Sequence, residues 1–234
     1  MNANSSIFMK FLLLLLLLIT TTAFSQKAFL SKSEADKVIT PDVKKEFGLE
    51  FPVFRVYNYT DKAGKFYIVL TEKNDGTKDS DTLHTKIKAA CLKNNAGKLE
   101  KSWEINDFVT LVTDADYEQT IWFWTKYSSF IDIDKDGIVE PVIIYGTNGY
   151  NGYDDGRIKI LIFYKGEKIA IRHQNSVFDE GRNTEVDAKF YKLPESIQNH
   201  VKKTMKTIMA NNTGIFPNGW EKNMAKHKTA FDEN

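Results

Sequence analysis

The sequence predicts a mainly β fold of the α+β kind: an antiparallel β-meander that carries an acidic strand-loop-strand unit and ends in a helix packed on the sheet. Three observations carry this. From Phe51 onward, apolar residues recur with period two in short runs separated by turn residues. Between two of these runs lies the acidic segment Asp132-Ile133-Asp134-Lys135-Asp136-Gly137-Ile138-Val139-Glu140. After Leu193-Pro194 the apolar spacing changes from two to that of a helix.

Taken in order, the first ten residues are polar with one positive charge, Lys10, and residues 11–19 are unbroken hydrocarbon. Small Ala23 and Ser25 then flank Phe24, the arrangement a signal peptidase accepts, so residues 1–25 read as a signal peptide cleaved between Ser25 and Gln26. A membrane span needs about 20 apolar residues. This run is shorter, so no span is expected in the mature chain, which should be exported and periplasmic or secreted. Loss of Lys10 takes the formal net charge from +1 to zero. Neutrality argues against a nucleic-acid partner, whose phosphates require clustered Lys and Arg. The single cysteine, Cys91, cannot form an internal disulfide and suits a buried small hydrophobe.

Residues 26–50 form a polar lead-in with a short helix over 33–38, and residues 51–234 a single β-rich domain. Residues 54–59 alternate, Asp61-Lys62-Ala63-Gly64 turns, and 66–70 return as a second strand. A second hairpin joins 83–92 to 99–105 through Asn94-Asn95-Ala96-Gly97. Residues 121–124 lead to the acidic loop and 141–145 leave it as a strongly β-forming run. A glycine-rich loop over 146–156 precedes the fourth hairpin, 158–164 and 168–172, closed by Lys165-Gly166-Glu167. Ile197, Val201, Met205 and Ile208 then fall on one face of a helix over about 195–210, which starts beside Pro194 and stops at Asn211-Asn212-Thr213-Gly214.

The acidic segment has the chemistry of a calcium loop. Calcium takes six to eight oxygen ligands, and a short loop supplies them when carboxylates recur at alternate positions around a tight turn. Asp132, Asp134 and Asp136 have that spacing, Gly137 permits the turn, the carbonyl of Ile138 offers a backbone ligand, and Glu140 adds a further carboxylate. An EF-hand would place a glutamate at the twelfth position, which is Ile143, and would flank the loop with helices. The expected cofactor is therefore a structural Ca2+ held between strands, in preference to Mg2+, which keeps a smaller, wetter shell. The competing account is an acidic surface turn whose Asp and Gly serve turn geometry alone.

This Asp-x-Asp-x-Asp-Gly-x-x-Glu loop resembles the calcium loop of FG-GAP and integrin-alpha-type β-propeller repeats, here in one copy. From Lys101-Ser102-Trp103-Glu104-Ile105-Asn106-Asp107 to Ile215-Phe216-Pro217-Asn218-Gly219-Trp220-Glu221, the chain also resembles a family of exported bacterial proteins labelled surface polysaccharide biosynthesis proteins. The resemblance implies calcium on Asp132, Asp134, Asp136 and Glu140 and a cell-envelope role, with an envelope glycan or another envelope protein as partner. It assigns no reaction.

Trp122 and Trp124 lie two apart and share a face of a strand, suited to core packing or, if exposed, to stacking on sugar rings. Asn148, Tyr150, Asn151, Tyr153 and Asp154 give the glycine-rich loop a composition that suits polar ligands, although its glycines can equally serve flexibility. Together these residues form the candidate ligand surface. His84, His173, His200 and His227 show no metal-ligand spacing, and no Gly-x-Ser-x-Gly elbow is present. The expectation is a non-enzymatic envelope protein acting in surface polysaccharide biosynthesis or recognition. The alternatives are a polysaccharide-acting enzyme using carboxylates near the glycine-rich loop, such as Asp154 and Asp155, and a periplasmic inhibitor or immunity protein.

Overall fold

The structure, a computed structural model, describes residues 29–78, 81–110 and 118–233. The expected signal peptide and its cleavage point lie outside the described residues.

Two short helices come first, α1 (Lys32–Val38) and α2 (Pro41–Glu46). A capping box opens α1: the Ser31 hydroxyl accepts from the Glu34 amide, and the Glu34 carboxylate accepts from the Ser31 amide at 2.8 Å. The Thr40 hydroxyl accepts from the Val43 amide to cap α2, and Pro41 fills its first turn, where a missing N–H costs nothing. This segment, expected as a lead-in, is packed structure. Ala35, Ile39, Phe47 and Leu49 are buried against Val56, Tyr67, Val69, Ala90 and Leu92.

Those partners belong to the first sheet. Its strands are β1 (Val53–Asp61) and β2 (Gly64–Glu72), then, past a small hairpin of β3 (Thr77–Lys78) and β4 (Asp81–Thr82), β5 (Lys86–Asn95) and β6 (Lys98–Phe108). The order is β1-β2-β5-β6, antiparallel throughout. The second sheet contains β7 (Thr120–Phe123), β8 (Ser129–Ile131), β9 (Glu140–Asn148), β10 (Arg157–Tyr164), β11 (Glu167–Gln174), β12 (Asn183–Val186) and β13 (Ala230–Asp232). It runs β13-β12-β11-β10-β9-β7, again antiparallel, with β8 also paired to β9. The fold is thus mainly β with antiparallel meander connections, divided between two sheets rather than laid out in one.

Period-two alternation explains the stacking of layers. In β9, Ile143 and Tyr145 face the first sheet and join Ile68, Leu70, Ala89 and Cys91 in a shared core. Trp103 of β6 stacks on Phe163 of β10 across this interface at 3.8 Å between ring centres. Val142 and Ile144 point the other way, into a core with Ile158, Ile160 and Ile171. That face is covered by α3 (Glu195–Ala210) and the short α4 (Trp220–Ala225). The four stripe residues of α3, Ile197, Val201, Met205 and Ile208, are all fully buried there. Each such side chain contributes about 1.5–3 kcal/mol by leaving water. The layers run helices, sheet, sheet, helices.

The two sheets are joined at one corner by β7. The Ile121 amide donates to the His84 carbonyl at 2.8 Å, the His84 amide donates to Thr120 Oγ1 at 2.9 Å, and the Phe123 amide donates to Glu72 Oε1 at 2.9 Å. No helix among the described residues is long and apolar enough to cross a membrane.

Candidate metal centre and a cleft at the far end of its strand

The acidic loop leaves β8 and enters β9. Its carboxylates fold it by accepting backbone amides. Asp132 Oδ2 accepts from Gly137 at 2.9 Å, Asp134 Oδ1 from Asp136 at 3.1 Å, Asp136 Oδ1 from Ile138 at 2.8 Å and Glu140 Oε2 from Ile133 at 2.6 Å. Lys135 and Gly137 take positive φ of 64° and 91°, the left-handed geometry that reverses the chain within so few residues. One oxygen from each of Asp132, Asp134, Asp136 and Glu140 then lies within 4.8 Å of the others. Oxygens bound to one calcium ion at about 2.3–2.6 Å cannot be farther apart than about twice that distance, so the spacing matches a shared shell.

Two further observations concern the fit of a cation. Asp132 Oδ1 is buried and has no hydrogen-bond partner among the described residues. Glu140 is 2% exposed, and its carboxyl group is pushed up to about 7 by burial and by the charges of Asp134 and Asp132, against the opposing hydrogen bond from Ile133. A loop that buries an unpartnered carboxylate oxygen and crowds its acids in this way fits a hard cation. Ile138, the expected carbonyl ligand, lies within the same turn.

Sequence reasoning assigned Asp61 and Lys62 to a hairpin turn and nothing more. In the structure they clasp the loop from the opposite sheet. The Lys62 amide donates to the Gly137 carbonyl at 3.0 Å and its Nζ reaches the Asp136 carbonyl. Asp61 Oδ1 accepts from Ala63 at 2.7 Å and Gly64 at 3.2 Å within its own turn. The remaining oxygen of Asp61 accepts from the Val139 amide at 3.0 Å. A Cβ on Gly137 would meet Lys62 Cε at 2.3 Å, so the absence of a side chain there lets the lysine lie across the loop.

The candidate ligand surface is split. Trp124 is 5% exposed and belongs to the helix-side core, so it cannot present a stacking face. Its indole fits because position 146 lacks a side chain: a Cβ on Gly146 would stand 2.5 Å from Trp124 Cζ2. Tyr150, Asn151 and Asp154 lie exposed on the outer part of the glycine-rich loop, where the Asn151 amide donates to Asp155 Oδ2. Trp122, Asn148 and Tyr153, in contrast, converge on a cleft of about 550 Å³. That lies within the size range of small-ligand sites. Asn148 ends β9 and Glu140 begins it, so the cleft and the acidic loop occupy opposite ends of one strand.

Glu72 and His84 also line the cleft. His84 Nδ1 lies 2.9 Å from the Lys73 carbonyl and must donate to it, which turns Nε2 toward Glu72 Oε2 at 3.5 Å. Burial raises the Glu72 carboxyl above its ordinary range, against the Phe123 amide, His84 and Arg55, which favour its charge. The other histidines are structural: His173 is buried between Thr184 and Asn175, His200 bonds Ser129 Oγ at 2.9 Å, and His227 stacks on Tyr191. Of the acidic residues in 179–187, Asp179 pairs with Arg182 and Asp187 with Arg172.

Comparison with protein-family models, with curated proteins and with solved structures finds no match for this chain.

Proposed function

We propose that the chain is an exported, non-enzymatic cell-envelope protein in which a structural calcium ion fixes the acidic loop between two sheets, and that it acts in recognition or biosynthesis of a surface polysaccharide. The observation that carries the metal reading is the convergence of four carboxylates within 4.8 Å around the buried, unpartnered Oδ1 of Asp132. Asp132, Asp134, Asp136 and Glu140 would hold the ion, with the Ile138 carbonyl as a further ligand. A bound ion supplies the positive charge that offsets their mutual repulsion. Asp61 and Lys62 give the loop a structural rather than a catalytic setting, because they tie it to the turn of the first hairpin. The 11–19 apolar run and the Ala23-Phe24-Ser25 site support export.

Calorimetric titration of the mature protein with calcium tests the metal reading. Saturable binding at millimolar concentration or below is expected, with an upward shift in melting temperature that a chelator reverses. A ligand specific to the folded state adds about 2.7 kcal/mol at a hundredfold excess over its dissociation constant. The absence of both heat and thermal shift would leave the loop an acidic turn. Mass spectrometry of the native protein tests export, with a mature N-terminus at Gln26 as the expected result.

A further inference from the structure

We infer that the cleft between Trp122 and His84 binds one neutral pyranose unit of a glycan, with its C–H face against Trp122 and Tyr153 and its hydroxyls on Glu72, His84 and Asn148. This rests on the glycan-recognition reading above and assigns it a site.

The first argument is the aromatic wall. Tyr153 stands edge-on to Trp122 at 5.7 Å and 63°, so the two rings form a corner, and Tyr153 is 37% exposed. Across the cleft, Phe54 is 44% exposed. The axial hydrogens of a pyranose make one apolar face, and an aromatic ring covers such a face without demanding a charge.

The second argument is the polar side. Glu72 and His84 are each fixed by a backbone partner, Phe123 N–H and the Lys73 carbonyl, so neither reorganises to meet a ligand. Glu72 Oε2 and His84 Nε2, 3.5 Å apart, together offer a carboxyl group and an imidazole nitrogen to a hydroxyl, which itself both donates and accepts. Asn148 also lines the cleft and adds a carboxamide.

The third argument concerns charge. Among the described residues no arginine lines the cleft, and the one lysine that does, Lys78, bonds Gln119 Oε1 at 3.1 Å. Phosphate or carboxylate ligands call for bidentate arginine or clustered cations. Its acidic lining is Glu72, which burial holds toward its neutral form, and the exposed Asp81, so no cluster of like charge faces the cleft. A neutral polyhydroxyl ring satisfies both walls.

The test uses the mature chain with calcium present and three neutral probes, methyl β-glucoside, methyl β-galactoside and N-acetylglucosamine, with glucuronic acid and glucose 1-phosphate as charged counterparts. Tryptophan fluorescence titration should saturate in the millimolar range for at least one neutral probe, and saturation-transfer NMR should single out its axial protons. Trp122→Ala and Tyr153→Ala should each weaken binding about tenfold or more, whereas Tyr150→Ala, on the outer part of the same loop, should leave it unchanged. If Trp122→Ala lowers the melting temperature markedly, Tyr153→Ala and Phe54→Ala carry the test, since both rings are exposed. Unchanged affinity in folded cleft variants would overturn this site while leaving glycan recognition standing. Absence of any neutral-sugar binding to the unaltered chain would overturn both, and preference for a charged probe would overturn the ligand class.

Discussion

The Val139 amide donates to the Asp61 carboxylate at 3.0 Å, across 78 residues of chain, and so bonds the turn of the first hairpin to the acidic loop of the other sheet. Asp61 is the hinge of this contact because it also caps its own turn through Ala63 and Gly64. The loop is therefore positioned by two sheets at once, by β8 and β9 through the chain and by β1 and β2 through Asp61 and Lys62.

Replacing Asp61 with alanine strands three backbone amides. The expected loss is about 1–3 kcal/mol in urea denaturation, the usual cost of leaving such groups unsatisfied. Because the loop amides of Gly137 and Ile138 are bonded to other residues, the loop itself should survive, and the variant should still respond to calcium with a weakened affinity.

The α3 stripe can be tested from both sides of its interface. Val201→Ala should cost about 2–4 kcal/mol, because the side chain is fully buried. Gly214→Ala should cost about 1–3 kcal/mol by overpacking: the added Cβ would stand 2.7 Å from Ile208 Cγ2 and 2.8 Å from Ile158 Cδ1. Chemical denaturation of the two single variants and of the calcium-loaded parent checks both values. A neutral Gly214→Ala would show that the helix end yields to accommodate the methyl group.

His173 sets an acid limit on stability. Burial lowers its imidazole to about 4, against the hydrogen bond to Asn175 Oδ1, which favours the charged form. The sign follows from the depressed value. The neutral ring contributes fully above the unfolded-state value of about 6.5, and the contribution is lost as pH falls through about 4. A difference of that size corresponds to about 3 kcal/mol across the window. Stability measured from pH 7 to 4 should fall along this curve in the parent and fall less in His173→Gln, which cannot be protonated.

The local period of the sequence made the hairpins and α3 legible, because each depends on neighbours within about ten residues. Residues 195–210 were expected as a helix and form one with those bounds. Which strands share a sheet was not legible: alternation in β9 shows that both faces are buried, but not that one meets a second sheet and the other a helix. Of the two N-terminal helices, α1 was expected over 33–38, whereas α2 was hidden by its brevity, since six residues carry little periodic signal and are held by a cap and packing. The acidic loop could be found because its carboxylates lie close together in sequence. The cleft could not, because Glu72, His84, Trp122 and Asn148 meet only after the corner formed by β7 has folded. The spacing of Trp124 left core packing and an exposed stacking face both open, and the space opened by Gly146 takes it into the core.

The sharpest prediction concerns Asp132, whose substitution by asparagine should have opposite effects with and without calcium. Asp132 Oδ1 is buried with no hydrogen-bond partner among the described residues, and the Asp132 charge helps push the Glu140 carboxyl up to about 7. Asparagine keeps an oxygen able to accept from the Gly137 amide, bonded at 2.9 Å in the parent, while it removes one negative charge from a crowded site. Without metal, Asp132→Asn should therefore raise stability, by about 1 kcal/mol if one poorly compensated charge is relieved. With calcium present the order should invert. The variant offers one charge fewer to the ion, its affinity falls, and the thermal shift shrinks accordingly. Paired melting curves in chelator and in millimolar calcium resolve the two regimes. Crossing curves are expected if the four carboxylates form a cation site. If the variant is less stable in chelator as well, Asp132 serves the turn itself, and the case for a structural metal loses its main support.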